Sequence, residues 1–257
     1  MKTVILAGGH GTRIRDVADD IPKPMIPIGP YPIIFHIMKI YAHHNFKDFV
    51  LCLGYKGDVL KNFFLNFQSF TSDITINLNR TKDIVFNDGE LFDWNITLAD
   101  TGLNSMTGAR IKKIKNYIQD DVFMLTYGDG VSNVDIDKLV AFHKSHGKTL
   151  TVTGVRPPGR YGEIIANKDG TVTEFNEKPQ SDTGLISGGF FVANKNLFNY
   201  LDDREDLVFE ESPMRNLALD KELMMYKHEG FWLPMDTSRE YQTLNSIYKS
   251  GKIPWTQ

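Results

Sequence analysis

The chain has 257 residues, of which 41% are hydrophobic and 24% charged, and its formal net charge is −3 at pH 7. These values are typical of a globular protein with one or two domains. Positive and negative residues are interspersed, which argues against a basic face for nucleic acid, and no apolar run approaches the ~20 residues that cross a membrane.

The start of the chain and its cysteine content indicate the compartment. The first residues lead into a predicted strand without the features of a signal peptide. Cys52 is the one cysteine and lies in an apolar run, so we expect a buried structural thiol with no internal disulfide. These features predict a cytoplasmic protein.

A glycine-rich stretch follows the first predicted strand, Thr3–Ala7, and reads GGHGTR over residues 8–13. Backbone amides without Cβ obstruction can surround a phosphate group, and Arg13 adds a cation that can bind it through two hydrogen bonds. Lys23 adds a second cation in the segment Pro22–Pro24, which we expect to be stiff and extended because proline restrains φ. An ordinary glycine-rich turn is the alternative interpretation.

The spacing of these glycines excludes two common phosphate-binding motifs. A dinucleotide-binding fingerprint requires a third glycine where Ile14 stands, and a P-loop requires a lysine directly after Gly11, where Thr12 stands.

Helices and strands alternate through the first half. Pro32 precedes a stripe of apolar residues at helical spacing, Ile34, Ile37, Met38 and Tyr41. Other predicted strands are 49–53, 73–78, 96–99 and 122–126. Other predicted helices are around 60–67, 107–118 capped by Thr107, and 136–147 capped by Asn133 or Asp135. Residues 79–95 predict a hairpin or excursion with Asn87-Asp88-Gly89 at its centre. This alternation favours a mostly parallel, doubly wound sheet.

The second half is richer in strands. Strands are predicted over 150–155, 163–166, 171–175, 187–192 and 223–227, and Ser212-Pro213 starts a short helix with Met214, Leu217 and Ala218 facing inward. We see no linker or repeat, so the sequence predicts a single compact domain.

Two aspartates are predicted where ligands contact a parallel sheet. Asp129 follows the strand 122–126, and open α/β sheets bind ligands at the carboxyl ends of strands. Asp236 precedes Thr237, which forms a capping-box sequence with Glu240 and so marks a helix N-terminus. Carboxylates beside a bound phosphate group require a divalent cation between them. An Asp-Gly turn and an N-cap are the alternative interpretations.

These stretches resemble the sugar-phosphate nucleotidyltransferases. LAGGHGTR followed by PKPM is similar to the signature of that superfamily. Later stretches resemble its glucose-1-phosphate cytidylyltransferase (CDP-glucose pyrophosphorylase) branch: DTG (100–102), SMTGAR (105–110), YGDG (127–130), PPGRYG (157–162), EKP (177–179), GGFF (188–191) and GFWLPMDT (230–237). The resemblance covers nearly the whole chain and implies an α/β fold, a Rossmann-like, mixed and mostly parallel sheet flanked by helices. It also implies one domain over 1–257, with a nucleotide-binding half of about 1–130 and an acceptor-binding half of about 131–257.

The resemblance also implies roles for individual residues. The catalytic residues would be Arg13, Lys23, Asp129 and Asp236, with the two aspartates holding Mg²⁺, which usually takes one or two carboxylates plus phosphates. The nucleotide-binding residues would be Leu6, Ala7, Gly8, Gly9, His10, Gly11, Thr12, Arg13, Lys23, Ser105, Arg110 and Gly128. The acceptor-binding residues would be Tyr161, Gly162, Glu177, Lys178, Ser187 and Gly188.

Two of these assignments have competing explanations. Glu177 and Lys178 would otherwise form an exposed ion pair in a loop. Arg110 would otherwise be a surface cation near a helix N-terminus, where the helix dipole disfavours it, so a ligand anion is the better explanation.

The implied reaction is CTP plus α-D-glucose 1-phosphate giving CDP-glucose and pyrophosphate, with Mg²⁺ as the cofactor. A phosphate oxygen attacks the α-phosphorus in line, so positioning and charge neutralisation suffice without a general base. Another phosphorylated acceptor, whether a sugar, a polyol or a non-sugar phosphate, is the first alternative, because Ser187 and Pro30-Tyr31 depart from the family pattern. A nucleotide-sugar sensor without turnover is the second.

The remaining features bear on metal sites and assembly. His43, His44, His143 and His146 lie on predicted helices without cysteine partners, and we interpret them as surface or interface residues. Relatives form homo-oligomers. The aromatic tail 253–255 would contact another subunit or pack on its own.

Overall fold

The computed structural model describes residues 1–9, 14, 21–79, 83–157, 163–167, 171–176 and 184–256. Its strands are β1 (Thr3–Leu6), β2 (Pro27–Ile28), β3 (Tyr31–Pro32), β4 (Asp48–Leu53), β5 (Ser72–Ile76), β6 (Ile84–Gly89), β7 (Asn95–Asp100), β8 (Val122–Tyr127), β9 (Gly130–Ser132), β10 (Leu150–Val155), β11 (Glu163–Ala166), β12 (Val172–Asn176), β13 (Ile186–Asn194), β14 (Leu223–His228) and β15 (Trp232–Pro234). Its α-helices are α1 (Ile33–His43), α2 (Gly57–Leu65), α3 (Phe67–Thr71), α4 (Thr107–Lys113), α5 (Ile136–His146), α6 (Ser212–Leu219) and α7 (Ser238–Lys249).

A seven-stranded sheet in the order β14-β10-β13-β8-β1-β4-β7 forms the centre of the protein. The four adjacent strands β8, β1, β4 and β7 run parallel to one another. Strand β13 is antiparallel to both β8 and β10, and β14 runs parallel to β10. The predicted Rossmann-like mixed sheet is therefore confirmed, and its parallel part brings the carboxyl ends of four strands to one edge.

Alternate residues of the central strands enter two hydrophobic clusters, one on each face of the sheet. Ile5 and Leu51 belong to the cluster that includes α1 and α5, whereas Val4 and Cys52 belong to the cluster that includes α4 and α6. The thiol of Cys52 is fully buried, and burial raises its pKa to about 12. The predicted structural role of this cysteine is confirmed.

Helix α1 is buried on more than the predicted stripe. Phe35, His36 and Ile40 are buried in addition to the four predicted residues. The C-terminal tail covers part of this surface, because Trp255 is 2% exposed and its indole Nε1 donates to His36 Nδ1 at 3.3 Å. Of the two possibilities for the aromatic tail, the structure supports packing on its own subunit.

The excursion between β4 and β7 differs from the prediction. Strand β5 pairs with β6 in a separate two-stranded sheet, so the reversal lies between Ile76 and Ile84. Asn87-Asp88-Gly89 is therefore part of β6 and is not the turn, and this prediction was wrong. The prediction placed Asn87-Asp88-Gly89 in a turn because these residue types favour turns. In the structure the positive φ of Asp88 is instead accommodated within β6, near a register shift between β5 and β6.

Two helix predictions need correction and one is confirmed. Thr107 is the first residue of α4 and its hydroxyl bonds elsewhere, so it is not the cap. On α6, Leu217 is buried but Ala218 is exposed, because only one side of that short helix meets the sheet. On α5, Asp135 accepts from the Lys138 amide and Gly147 ends the helix with a φ of 65°, as predicted.

Candidate active site

A cavity of ≈ 520 Å³ opens where the four parallel strands end. Gly8, Gly54, Thr101 and Gly128 follow the ends of β1, β4, β7 and β8. This is the edge at which open α/β sheets bind ligands. Ten of the predicted site residues line the cavity: Leu6, Ala7, Gly8, Gly9, Lys23, Ser105, Arg110, Gly128, Asp129 and Asp236.

The guanidinium of Arg110 fixes one wall of this cavity. It lies between Gly8 and Gly54, and a Cβ atom on either glycine would come within 2.4 Å or 2.5 Å of it. Its NH2 donates to the Gly8 carbonyl at 2.9 Å, and the Tyr55 amide donates to the same carbonyl at 3.2 Å. Glycine is required at both positions because the guanidinium occupies the space of a side chain.

The other hydrogen bonds of Arg110 go to the neighbouring strand ends. NH1 donates to the carbonyls of Leu53 and Gly102 and to the hydroxyl of Thr101, at 2.8–2.9 Å. The side chain is 4% exposed, and burial lowers its pKa from the usual value. Neutral oxygens of the chain satisfy the guanidinium, and the alternative interpretation of Arg110 as a surface cation is wrong because the residue is buried. Contact with a nucleotide stays a prediction.

The opposite corner of the cavity carries three charged side chains. Lys23 Nζ donates to Asp129 Oδ2 at 2.6 Å and to Asp236 Oδ1 at 2.6 Å. Burial alone lowers the pKa of Lys23, but the charges and hydrogen bonds of the two aspartates outweigh it, and the pKa is raised. The structure thus brings together three of the four residues predicted to be catalytic.

Two short strands bring the aspartates together although they are far apart in sequence. β9, which begins directly after Asp129, pairs with β15, so that Gly130 lies opposite Pro234. The Met235 amide donates to the Asp129 carbonyl at 2.8 Å and locks the next residue, Asp236, beside it. The sequence analysis missed both strands because three residues are too few for a periodicity.

The capping box of α7 holds Asp236 from the other side. Thr237 and Glu240 exchange the two predicted hydrogen bonds, and Glu240 also accepts from the Asp236 amide at 2.7 Å. The predicted helix start is confirmed, and it fixes the backbone that carries the second carboxylate.

The segment that carries Lys23 is not fully extended. Pro22 has an extended backbone, but Lys23–Met25 forms a turn of 3-10 helix closed by the Met25 amide on the Pro22 carbonyl at 2.8 Å. Buried Pro24 contacts the region of Gly128, where a Cβ would lie 3.3 Å from its Cγ and 2.9 Å from the Leu6 carbonyl. The turn is what directs the ammonium towards the two aspartates.

The donor set fits a site for a divalent cation. Two carboxylates from separate segments converge on one positive nitrogen, and carboxylate oxygens are ligands that hard divalent cations take. Asp129 and Asp236 are the residues that would hold it.

The sequence analysis missed the role of the Tyr127 side chain, which lines the same cavity. Its hydroxyl donates to Glu210, whose second oxygen accepts from the Thr107 hydroxyl at 2.7 Å. Burial first, and then Glu210, raises the pKa of this phenol well above its usual value. Tyr127 therefore stays protonated and links the end of β8 to the start of α4. The YGDG motif contained the residue but gave no indication of its partner.

Ser105 and the acceptor residues Ser187 and Gly188 are also described. The Ser105 hydroxyl donates to the Thr101 carbonyl at 2.6 Å and accepts from Lys113. Ser187 is exposed and pairs with Gly154 of β10, whereas Gly188 is buried and begins the register shift at which β13 bulges. The Gly188 carbonyl accepts from the Trp232 indole at 2.7 Å, so this bulge is tied to β15, the strand beside Asp236.

Eight predicted site residues lie outside the described residues, and their roles stay predictions: His10, Gly11, Thr12, Arg13, Tyr161, Gly162, Glu177 and Lys178.

The histidines only partly match the prediction of surface positions. His143 is buried, with Nδ1 2.8 Å from the Thr151 hydroxyl and Nε2 3.2 Å from Asn194 Oδ1, so the prediction was wrong for this residue. His44 groups with Asp135 and Asp137 in a geometry that could hold a metal ion. However, Asp135 already caps α5 and pairs with Lys138 at 2.8 Å, and Asp137 is exposed. The N-terminus of α5 therefore explains why these acidic residues lie together.

Comparison with known proteins identifies the family that this chain matches. The family model described as "Nucleotidyl transferase" matches residues 2–248. Glucose-1-phosphate cytidylyltransferase of Salmonella typhimurium is 45% identical over 256 residues, covering 99% of this chain and 98% of that protein. The probable glucose-1-phosphate cytidylyltransferase of Bacillus subtilis is 40% identical over 255 residues, covering 99% of both.

Solved structures share the fold. A UDP-glucose pyrophosphorylase complexed with UDP-glucose superposes with a TM-score of 0.68 at 16% identity, covering 97% of this chain and 98% of that one. HddC from Yersinia pseudotuberculosis complexed with GMP-PN gives 0.67 at 23% identity, covering 96% and 99%. Within the described residues, none of the helices combines the length and apolar character that crossing a membrane requires.

Proposed function

This chain belongs to the nucleotidyl transferase family, and we propose that it transfers the cytidylyl group of CTP to α-D-glucose 1-phosphate, giving CDP-glucose and pyrophosphate. The observation that carries this proposal is the corner of the cavity where Lys23, Asp129 and Asp236 meet, opposite the wall fixed by Arg110. The high identity to curated glucose-1-phosphate cytidylyltransferases supports the choice of substrates.

The residues divide the work of an in-line displacement, which needs positioning and charge neutralisation but no general base. Asp129 and Asp236 would hold Mg²⁺, which supplies positive charge to the phosphates when bound. The Lys23 ammonium neutralises charge at the reacting phosphates, and the amides of the glycine-rich stretch with Arg13 bind the triphosphate. Lys178 holds the phosphate of the acceptor close despite the repulsion between the two phosphate groups.

The acceptor is the point at which a second candidate stays open. Ser187 offers one hydroxyl where the family pattern has the longer amide of asparagine, and it lies exposed beside the bulge of β13. A hydrogen bond to a substrate hydroxyl contributes about 0.5–1.5 kcal/mol, so a different hydrogen-bonding group at this position can change acceptor preference. The relatives favour glucose 1-phosphate. A screen of phosphorylated acceptors with CTP, repeated with Ser187→Asn, tests this. Another acceptor clearly outperforming glucose 1-phosphate would favour the second candidate.

Pyrophosphate release in the presence of CTP, glucose 1-phosphate and Mg²⁺ tests the whole proposal. We expect steady turnover that requires all three and is reduced when UTP or GTP replaces CTP. Binding of CTP without release of pyrophosphate, for every acceptor tried, would instead support a sensor of nucleotide sugars.

We propose a cytoplasmic location, because CTP and sugar phosphates are supplied there. We also propose that the nucleotide binds in the half formed by about residues 1–130 and the acceptor in the half formed by about 131–257. The cavity supports the first part, since the residues that line it come from the first half, with the exception of Asp236.

Assembly with further copies of the chain is supported by the β5–β6 hairpin. Ile74 lies opposite Phe86, and Ile76 opposite Ile84, so one face carries four apolar side chains, each 36–52% exposed. A two-stranded hairpin with such a face is marginal alone, and pairing it with the same face of a second copy would bury it. Ile76→Lys should lower the mass measured by light scattering, whereas Asn87→Lys on the other face should not. An unchanged mass in both variants would contradict this interface.

A further inference from the structure

The two carboxylates of the proposed metal site already share a cation that belongs to the chain. The Lys23 ammonium lies 2.6 Å from Asp129 Oδ2 and 2.6 Å from Asp236 Oδ1. Its side chain is 11% exposed, against 34% and 27% for the two aspartates. The lysine side chain is therefore more buried than the side chains of the two aspartates that it contacts.

A divalent cation and this ammonium compete for the same negative charge. The three side chains together carry a net charge of −1, whereas the two aspartates alone would carry −2. Mg²⁺ binds oxygen at about 2.0–2.1 Å. An ion bound to either of the oxygens that Lys23 contacts would therefore lie within about 4.7 Å of Nζ, since the two cations would share one oxygen atom. At that distance two positive charges repel strongly in a partly buried site.

Because this argument uses the aspartates as metal ligands, it rests on the proposed function. We propose that Lys23 acts as an internal counter-ion of Asp129 and Asp236, which weakens the binding of a divalent cation to the protein alone. Metal then binds well only together with the nucleotide, because the triphosphate offers the metal further oxygens and offers Lys23 other acceptors. Lys23 thereby couples the metal and the nucleotide, in addition to its role at the reacting phosphates.

The surroundings of Lys23 keep this arrangement in place. The 3-10 turn Lys23–Met25 and buried Pro24 fix the base of the side chain, while the β9–β15 pair and the capping box of Thr237 fix the two aspartates. The backbone therefore fixes both Lys23 and the two aspartates that it contacts. The effect of the ammonium on metal affinity is thus a property of the folded protein.

Titration of the full-length protein with Mn²⁺ in the absence of nucleotide tests the proposal. Electron paramagnetic resonance measures the free Mn²⁺ that remains. We expect wild-type protein to bind Mn²⁺ weakly and Lys23→Met to bind it at least ~10-fold tighter, because one repelling charge is removed. Lys23→Gln provides a second neutral side chain if the first variant folds poorly, and Lys23→Arg should keep the weak binding because it keeps the charge.

The matched control is Lys47→Met, which removes a lysine from an exposed pair with Asp93 at 2.9 Å and should leave Mn²⁺ binding unchanged. Neutral variants of Lys23 that bind Mn²⁺ no tighter than wild type would overturn the proposal. Asp129→Asn, added to Lys23→Met, should abolish the tight binding. If the tight binding persists in that double variant, the aspartates are not the metal ligands and the proposed metal site fails instead.

Discussion

Two cationic side chains border the same cavity and are held in opposite ways. Arg110 donates to carbonyl and hydroxyl oxygens of strand ends, all of them neutral. Lys23 donates to two carboxylates. The wall formed by Arg110 joins the ends of β1, β4 and β7 through buried hydrogen bonds. The corner formed by Lys23 joins side chains that are partly exposed to the cavity.

The difference indicates which part of the cavity is scaffold and which part reacts. Replacing Arg110 removes a charged donor that is shared by oxygens on several strand ends, although the carbonyls of Gly8 and Leu53 keep donors from Tyr55 and Thr101. In contrast, a metal ion can replace the ammonium as the partner of the carboxylates, and phosphates can replace the carboxylates as partners of the ammonium. Each replacement carries charge of the same sign as the group that it replaces. We therefore expect substitutions in the Lys23 corner to act mainly on turnover and substitutions in the Arg110 wall to act mainly on stability.

The largest effect is expected for the aspartates of the corner. Asp129→Asn and Asp236→Ala should each reduce turnover by about 10³-fold, equivalent to roughly 4 kcal/mol, because a ligand of the metal beside the phosphates is lost. Steady-state rates across a Mg²⁺ titration measure this, and circular dichroism checks the fold. Asp93→Asn, at an exposed ion pair, is the control. Near-normal activity in either site variant would contradict the two-aspartate metal site.

The two lysines should separate by kinetic parameter. Lys23→Ala should chiefly lower kcat, by about 10²-fold, since it meets charge that develops in the transition state. Lys178→Ala should chiefly raise KM for the sugar phosphate, since its proposed role is to bind the acceptor. Both parameters should be measured against both substrates. The same pattern in the two variants would show that this division of roles is wrong.

The Arg110 wall should respond in stability. Arg110→Lys should lower the free energy of unfolding by about 3 kcal/mol, because a single ammonium cannot reach the oxygens on three strand ends and hydrogen bonds from a charged donor contribute about 1.5–3 kcal/mol each. Urea denaturation measures this, with Arg204→Lys at an exposed ion pair as the control. If the variant is as stable as wild type but inactive, Arg110 acts on the ligand and the comparison of the two walls fails.

A smaller effect is expected far from both walls, at His143. Burial lowers the pKa of its imidazole, although the hydrogen bond with Asn194 opposes this. An unfolded histidine titrates near ~6.5, so the unfolded chain binds more protons below that pH and stability falls as the pH decreases from about 6.5. His143→Asn should reduce this slope in urea denaturation between pH 7.5 and 5.5, by at most ~1.4 kcal/mol per pH unit.

The control for the pH dependence is His43→Asn, whose side chain is exposed. This variant should keep the pH slope of wild type, because it retains the histidines whose pKa values are lowered by burial. These are His36, His143, His146 and His228. An equal loss of slope in both variants would show that burial of His143 is not its cause.

The strands of the central sheet could be predicted because the pattern that identifies a buried strand lies within the strand itself. The apolar run of β10 was predicted with the bounds Leu150–Val155 that the structure has, since buried central strands are continuous and apolar. The caps of α5 and α7 were predicted because the donor and acceptor lie within four residues of each other. Asp129 and Asp236 were both selected, but only through a resemblance and their position after or before an element.

What the sequence could not predict depends on contacts between distant segments. Arg110 meets Gly8 across 102 residues, and Lys23 meets Asp236 across 213. No local pattern distinguishes an arginine that binds carbonyls from one that binds a ligand. The strands β9 and β15 are three residues each and form only because they pair with each other, and the hairpin turn was misplaced because Asn-Asp-Gly is also tolerated inside a strand.

A crystal structure with CDP-glucose and Mn²⁺ tests the central claim most directly, because anomalous scattering locates the metal. We expect one Mn²⁺ coordinated by carboxylate oxygens of both Asp129 and Asp236, with the ammonium of Lys23 moved onto a phosphate oxygen. A product bound in the cavity with its metal elsewhere, and Lys23 still bridging the two aspartates, would contradict it.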